Sequence, residues 1–212
     1  MSLIHYIIYS GYLLLGINII LFFKSYRNRS VAFKIFTYYL LIILIIQICS
    51  TYLRINKTPN IFLSHYYFVG QFILLSLFFK EILLKDILKK IIFSTLIIIL
   101  ISVGIYYIIY PQDYYKFNTI EILITSIPLI VYSFIFFMRR IEGDNKKFIY
   151  IISGIFLYLL CSTLLFTLGN FVNSSTSSFR KVSWYSNAIL YIVYQVLIFV
   201  EWYKNFRKVD VY

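Results

Sequence analysis

The chain has 212 residues, of which 61% are hydrophobic, and its mean hydropathy is +0.84. Soluble domains are about 45–50% apolar, so this composition excludes an ordinary water-soluble protein. The formal net charge is +12. No basic domain with interleaved surface aromatic residues accompanies that charge, and we therefore expect no binding of nucleic acid.

Seven long apolar runs follow one another along the chain, and the only charged residues inside them are Glu121 and Glu201. An α-helix needs roughly 20 apolar residues to cross a bilayer, and each run has 19 to 22. The sequence therefore predicts an all-α membrane protein, a single domain over residues 1–212 with seven transmembrane helices. The predicted spans are 3–23, 35–53, 61–79, 91–110, 117–138, 148–169 and 184–203.

The basic residues alternate between the connections. Segments 24–34, 80–90, 139–147 and 204–212 contain 4, 4, 4 and 3 Lys or Arg, whereas segments 54–60, 111–116 and 170–183 contain 2, 1 and 2. Cytoplasmic loops carry the excess of Lys and Arg in membrane proteins. This pattern predicts an N-terminus outside and a C-terminus in the cytoplasm. Tyr residues near the ends of the runs, such as Tyr106 and Tyr107, predict an aromatic belt at the membrane surface.

Polar side chains enter six of the runs, mainly in the halves that this orientation places outside. In chain order they include His5 and Tyr9, Gln47, Ser50, Thr51 and the flanking Arg54, His65, Tyr67 and Gln71, Glu121 and Thr125, Thr163 and Thr167, and Asn187, Tyr191 and Gln195. Many recur three or four residues apart and so share a helix face. Because polar groups in hydrocarbon need partners, we expect a polar cavity open to the outside. The candidate ligand-binding residues are Gln47, Thr51, Arg54, His65, Gln71, Glu121, Asn187, Tyr191 and Gln195.

A second interpretation of the polar stripes stays open, because such side chains also join membrane helices to each other, at about 0.6 kcal/mol each. Glu121 is the one carboxylate well inside a run. We expect it to be protonated, to pair with Arg54, His5 or His65, or to reach water at the outer boundary. Glu201 lies at the inner end of the last run, where we expect it to reach water.

No catalytic residues are predicted, since the chain has no HExxH, no GxSxG and no glycine-rich phosphate loop. No run contains Lys, which excludes a retinal Schiff base. Cys49 and Cys161 lie in separate runs, as do the two His, and no metal-ligand spacing results. We expect no metal site, no disulfide and no cofactor. Whether the protein is an enzyme stays open, and the sequence favours that it is not.

Three segments carry a resemblance. They are NIFLSHYYFVGQFILLSLFF at 60–79, FNTIEILITSIPLIVYSFIFF at 117–137, and W-x-x-N-x-I-L from Trp184 to Leu190. With them the chain resembles, over nearly its whole length, a family of small uncharacterised seven-helix membrane proteins of Bacteroidota. That family is similar to the membrane sensor portions of histidine kinases. Its third helix has the pattern H-x-Y-x-x-x-E; here His65 and Tyr67 match, and Gln71 takes the acidic position.

These observations favour a receptor-like or accessory protein of the inner, cytoplasmic membrane. Its outer cavity would sense a small or lipidic ligand, and it would act through a separate membrane or cytoplasmic protein. A first alternative is a structural subunit of a larger envelope complex, in which the polar stripes contact neighbouring helices. A second alternative is a transporter or a lipid-modifying enzyme that uses the same cavity.

Overall fold

The computed structural model describes residues 3–140, 147–171 and 177–207. Residues 1–2, 141–146, 172–176 and 208–212, which belong to the two ends and to predicted connections, lie outside the described residues. The described chain is all-helical. Its seven α-helices are α1 Leu3–Lys24, α2 Val31–Ile55, α3 Leu63–Ile82, α4 Asp86–Ile109, α5 Thr119–Arg140, α6 Ile149–Phe171 and α7 Ser177–Glu201. A 3₁₀ helix, Pro111–Tyr115, joins α4 to α5, and a π-helical turn, Trp202–Phe206, follows α7.

Six of these helices are long and apolar enough to cross a membrane, and the chain is therefore a multi-pass membrane protein. They are α1, α2, α4, α5, α6 and α7. The six do not include α3, whose hydropathy is lowered by His65 and Gln71 within the helix and by Lys80 and Glu81 near its end. The surface of α4 agrees with a lipid environment, because Ile98 and Ile108 are 63% and 80% exposed on it. A water-soluble protein rarely exposes such a continuous apolar surface.

The helices form two compact units, and the boundary between them falls within α5, after Leu129. One unit contains α1, α6, α7 and the end of α5; the other contains α2, α3, α4, the 3₁₀ helix and the beginning of α5. We call them the α1–α6–α7 unit and the α2–α3–α4 unit. The prediction of one domain over residues 1–212 stays a prediction.

In the α1–α6–α7 unit, α7 packs on both α1 and α6. The Asn18 amide donates to the side-chain oxygen of Gln195 at 3.0 Å and to its backbone oxygen at 2.9 Å. Tyr194 stacks on Tyr158 at 5.4 Å between ring centroids. Its ring lies so close to Gly154 that a Cβ there would approach it to 2.7 Å. A glycine at this position therefore sets the approach of α6 and α7.

The side chain of Glu201 is fully buried, so the prediction that it reaches water is wrong. One carboxylate oxygen accepts the backbone N–H of Phe148 at 2.6 Å, and the other accepts that of Tyr150 at 2.9 Å. The first N–H groups of a helix have no partner within it, and residues 147–149 contain no Ser, Thr, Asp or Asn that could cap α6. Glu201 of α7 therefore caps α6.

The α2–α3–α4 unit is built on α3, which packs against α2 and α4. Its core is aromatic: Phe36 of α2 meets Phe78 of α3 at 5.4 Å between ring centroids. At the other end of the same helix pair, the Asn60 amide donates to the Ser50 carbonyl at 3.0 Å. These contacts fix the register of α3 on α2 and bring the first turn of α3 beside the last turns of α2.

Candidate functional site

Glu121 lies in the first turn of α5, where Asn118 caps the helix. The Asn118 side-chain oxygen accepts the backbone N–H groups of Ile120 at 3.1 Å and Glu121 at 3.2 Å. Asn-x-x-Glu resembles the capping-box signature, in which the glutamate would reach back to the cap residue. Here the Glu121 carboxylate turns instead towards α3 and α4. The same short segment thus starts the helix and aims a carboxylate into the unit.

Glu121, His65 and Tyr107 form a polar cluster that joins α5, α3 and α4. His65 Nδ1 lies 2.6 Å from Glu121 Oε2, and the Tyr107 hydroxyl donates to the same carboxylate oxygen. The Tyr107 oxygen is also 2.8 Å from His65 Nδ1. His65 and Glu121 are 6% and 2% exposed. A buried pair of this kind is strongly sensitive to removal of either partner.

The hydrogen bonds of His65 determine where its protons lie. Nε2 is 2.9 Å from the backbone carbonyl of Tyr114, which can only accept, so Nε2 carries a proton. One further proton lies between Nδ1 and Glu121 Oε2, whether the pair is written as imidazolium and carboxylate or as imidazole and carboxylic acid. The cluster therefore has no net charge in either form, and both ring nitrogens are engaged.

The 3₁₀ helix is fastened to α3 and α4 around this cluster. Besides its carbonyl contact with His65, Tyr114 shares a hydrogen bond at 2.9 Å between its hydroxyl and that of Tyr66. This bond raises the pKa of Tyr114 to about 12, so the phenol stays protonated at neutral pH. Hydrogen bonds from Lys116 and then from Tyr106 hold the pKa of Asp113 below its usual range.

A groove of about 730 Å³ runs between α2, α3 and α4 beside the cluster. Its lining residues are Ile42, Ile45, Ile46, Cys49, Phe62, Leu63, His65, Tyr66, Val69, Gly70, Ile73, Val103, Tyr107 and Tyr114. The polar members lie at one end. From Tyr66 towards Ile73, over about 10 Å at 1.5 Å per residue, the α3 wall is apolar. Ligand pockets commonly have roughly 300–1,000 Å³.

Three buried side-chain oxygens of this unit have no hydrogen-bond partner among the described residues. They are Glu121 Oε1 and Gln71 Oε1, on side chains that are each 2% exposed, and Ser76 Oγ. Buried polar groups are nearly always satisfied in folded proteins. These oxygens are therefore sites where water or a ligand's donor group would be stabilised.

The candidates from α2, α3 and α5 all belong to the α2–α3–α4 unit. Glu121 is in direct contact with His65, which is one of the three partners that the sequence predicts for it. Gln71 is buried, Gln47 and Thr51 are half-buried, and Arg54 is exposed at the end of α2. The structure brings His65 into the groove, but the ligand-binding role of the whole set stays a prediction.

The three α7 candidates lie in the other unit, where Tyr191 and Gln195 contribute to helix packing. Gln195 is 1% exposed and accepts from Asn18. Tyr191 packs against Gly11, where an added Cβ would lie 2.9 Å from the ring. Asn187 is half-buried, and its Oδ1 has no hydrogen-bond partner among the described residues. The contacts of Tyr191 and Gln195 favour the packing interpretation for these two residues, whereas the role of Asn187 stays a prediction.

Sequence reasoning missed Tyr107, Tyr114 and Asn118 as parts of the site. Tyr107 was assigned only to the aromatic belt, and nothing in the sequence indicates that a loop carbonyl reaches His65. The cap signature from Asn118 to Glu121 was a signal that could have been used, because it fixes the start of α5 and hence the depth of the carboxylate.

Comparison of the chain with known protein families, curated proteins and solved structures gave no match.

Proposed function

We propose that this protein is a receptor-like protein of the inner membrane that binds a lipidic ligand in the groove of the α2–α3–α4 unit. The observation that carries the proposal is the groove itself, with the His65–Glu121–Tyr107 cluster at one end and an apolar wall at the other. Concave, mainly apolar sites with a few converging polar groups are the usual form of ligand sites.

The position of the groove supports a ligand that arrives from the bilayer. Ile45, Cys49 and Tyr66 line it and are exposed, so the groove is open at the surface of the unit. Two of its three walls, α2 and α4, have the length and hydropathy of membrane spans. A molecule with a hydrocarbon chain can therefore enter sideways without crossing water.

The polar cluster supports a signalling role because one loop depends on it. The 3₁₀ helix between α4 and α5 contributes the carbonyl of Tyr114 to His65 and its ring to the groove. A ligand that binds to Tyr114 would alter its contact with His65 and shift the loop. Differential contacts of this kind are the requirement for a ligand-driven change of state.

The topology that goes with this proposal has seven spans, an external N-terminus and a cytoplasmic C-terminus. Its support is the distribution of Lys and Arg, four in each of the three basic connections against one or two in the alternate ones. If α3 did not span, this alternation would be lost. The basic segments would then meet anionic lipid and a partner protein that transmits the signal, in keeping with the resemblance to sensor portions of histidine kinases.

A substitution that fills the groove tests the binding site. Gly70 lines it, and an added Cβ would make only an ordinary contact, 3.9 Å from Ile42. We expect Gly70→Leu to weaken binding of monooleoylglycerol at least about tenfold, because the leucine side chain takes up ligand space; tenfold corresponds to 1.4 kcal/mol. Isothermal titration of the protein in an amphipathic polymer measures the affinity.

Gly104→Leu is the matched control. Gly104 is in α4 of the same unit, is exposed and has no atom within 4 Å of an added Cβ. The gain in helix propensity is the same in both variants, so only Gly70→Leu changes the groove. Unchanged affinity in Gly70→Leu, or equal weakening in both variants, would contradict the proposed site.

A further inference from the structure

The polar end of the groove presents neutral hydrogen-bond donors. Tyr66 and Tyr114 share one hydrogen bond between their hydroxyls. Two phenols have two protons, so this contact uses one and leaves the other for a ligand. Phe62 stacks on Tyr114 at 6.0 Å and meets Tyr66 edge to face at 6.4 Å between ring centroids. The site therefore suits an acceptor oxygen, such as an ester carbonyl.

The charges at this end of the unit do not cancel. The cluster of His65 and Glu121 has no net charge, and Lys116 pairs with Asp113 at 2.9 Å. Arg54 and Lys57 remain, both exposed, in the last turn of α2 and just after it. Arg54 is five residues beyond Cys49 of the groove, about 7.5 Å along the helix axis. The unit therefore carries two uncompensated positive charges beyond the polar end of the groove, although neither side chain lines the groove itself.

We propose that the groove holds one acyl chain of an anionic glycerophospholipid from the surrounding bilayer. Its ester carbonyl accepts from the Tyr66–Tyr114 pair, and its phosphate lies towards Arg54 and Lys57. This inference rests on the proposed function and names the ligand class. It follows from the succession of cations, phenols and apolar wall along one axis, which matches the succession of phosphate, ester and hydrocarbon in such a lipid.

A competition experiment tests the lipid class. The full chain in an amphipathic polymer is incubated with equimolar phosphatidylglycerol, phosphatidylcholine and oleic acid, with the same oleoyl chain in each, and the retained lipid is identified by native mass spectrometry. We expect phosphatidylglycerol to exceed phosphatidylcholine at least about tenfold, since each basic residue near an anionic surface contributes about fivefold. Gly70→Leu should lose this lipid.

Point variants separate the head-group contacts. Arg54→Gln and Lys57→Gln should each reduce the preference for phosphatidylglycerol about fivefold, whereas Lys85→Gln, the same charge change at the other end of α3, should not alter it. Tyr114→Phe keeps the ring and the carbonyl that His65 needs. It should weaken both phospholipids about fivefold and leave their ratio unchanged.

Each other outcome overturns part of the account in a distinguishable way. Equal retention of the two phospholipids, both lost in Gly70→Leu, would overturn the anionic lipid and leave the proposed groove function standing. Oleic acid in place of both phospholipids would overturn the bilayer lipid as the source. Retention unaffected by Gly70→Leu would overturn the groove and with it the proposed function. Circular dichroism of every variant confirms that its helices are formed.

Discussion

Glu121→Leu is expected to lower the free energy of unfolding by about 3 kcal/mol. The substitution removes the acceptor that the buried His65 Nδ1 and the half-buried Tyr107 hydroxyl share, and the 2.8 Å contact between those two atoms can replace only one of the two hydrogen bonds lost. A hydrogen bond to a charged group contributes about 1.5–3 kcal/mol, and leucine offers none in return. Unfolding in mixed micelles by titration with sodium dodecyl sulfate measures the difference.

Glu121→Gln is the conservative control. Its side-chain oxygen at the Oε2 position still accepts from Tyr107, while the proton that Glu121 shares with His65 Nδ1 is lost, so the loss should be about 1 kcal/mol. A double-mutant cycle with His65→Leu isolates the pair, and we expect a coupling energy of about 2 kcal/mol. Additive effects of the two leucine substitutions would show that His65 and Glu121 do not stabilise each other.

Glu201→Leu should also cost about 3 kcal/mol of unfolding free energy. The carboxylate accepts the N–H groups of Phe148 and Tyr150 and the side-chain amide of Asn205. Phe148 has a positive φ of 70°, which is uncommon for a bulky residue, and its contact with Glu201 holds it there. The loss should appear in the same micelle titration, together with faster hydrogen exchange at the start of α6.

Glu81→Leu provides the comparison, because Glu81 also lies near the end of a helix but is exposed. An exposed substitution of this kind changes stability by about 0.5 kcal/mol or less. If Glu201→Leu behaved like Glu81→Leu, the carboxylate would not be the cap of α6.

The number and order of the helices could be predicted because hydropathy marks the part of each helix that lies in hydrocarbon. The starts of α1, α3, α5 and α6 lie within two residues of the predicted ones, but those of α2, α4 and α7 could not be predicted. α4 begins at Asp86 rather than residue 91, and α7 at Ser177 rather than residue 184. The additional turns contain Lys, Arg or Ser residues, which hydropathy excludes although the helix continues through them. The count of seven spans, which requires α3 to cross the membrane, and the orientation remain proposals based on the basic residues.

The candidate site was predictable only in part. The sequence predicts three possible cationic partners for Glu121, which are His5, Arg54 and His65. Choosing between them depended on the register of α3, which is set by contacts such as that of Asn60 with Ser50. The contact of Tyr114 with His65 could not be predicted, because it is made by a backbone carbonyl whose direction depends on the conformation of the 3₁₀ helix. The burial of Glu201 could not be predicted, because its position at the end of a span does not show that the neighbouring helix α6 lacks a cap residue of its own.

The most direct measurement of the central claim uses Cys49, an exposed free thiol that lines the groove. In the Cys161→Ala protein it is the one remaining thiol, since the chain has two cysteines. The rate of its alkylation by N-ethylmaleimide is measured in an amphipathic polymer with and without monooleoylglycerol. If the groove binds the acyl chain, the rate should fall about tenfold at a concentration ten times the Kd, and Gly70→Leu should abolish this protection. Alkylation at the same rate at every concentration of monooleoylglycerol would contradict a ligand site in this groove.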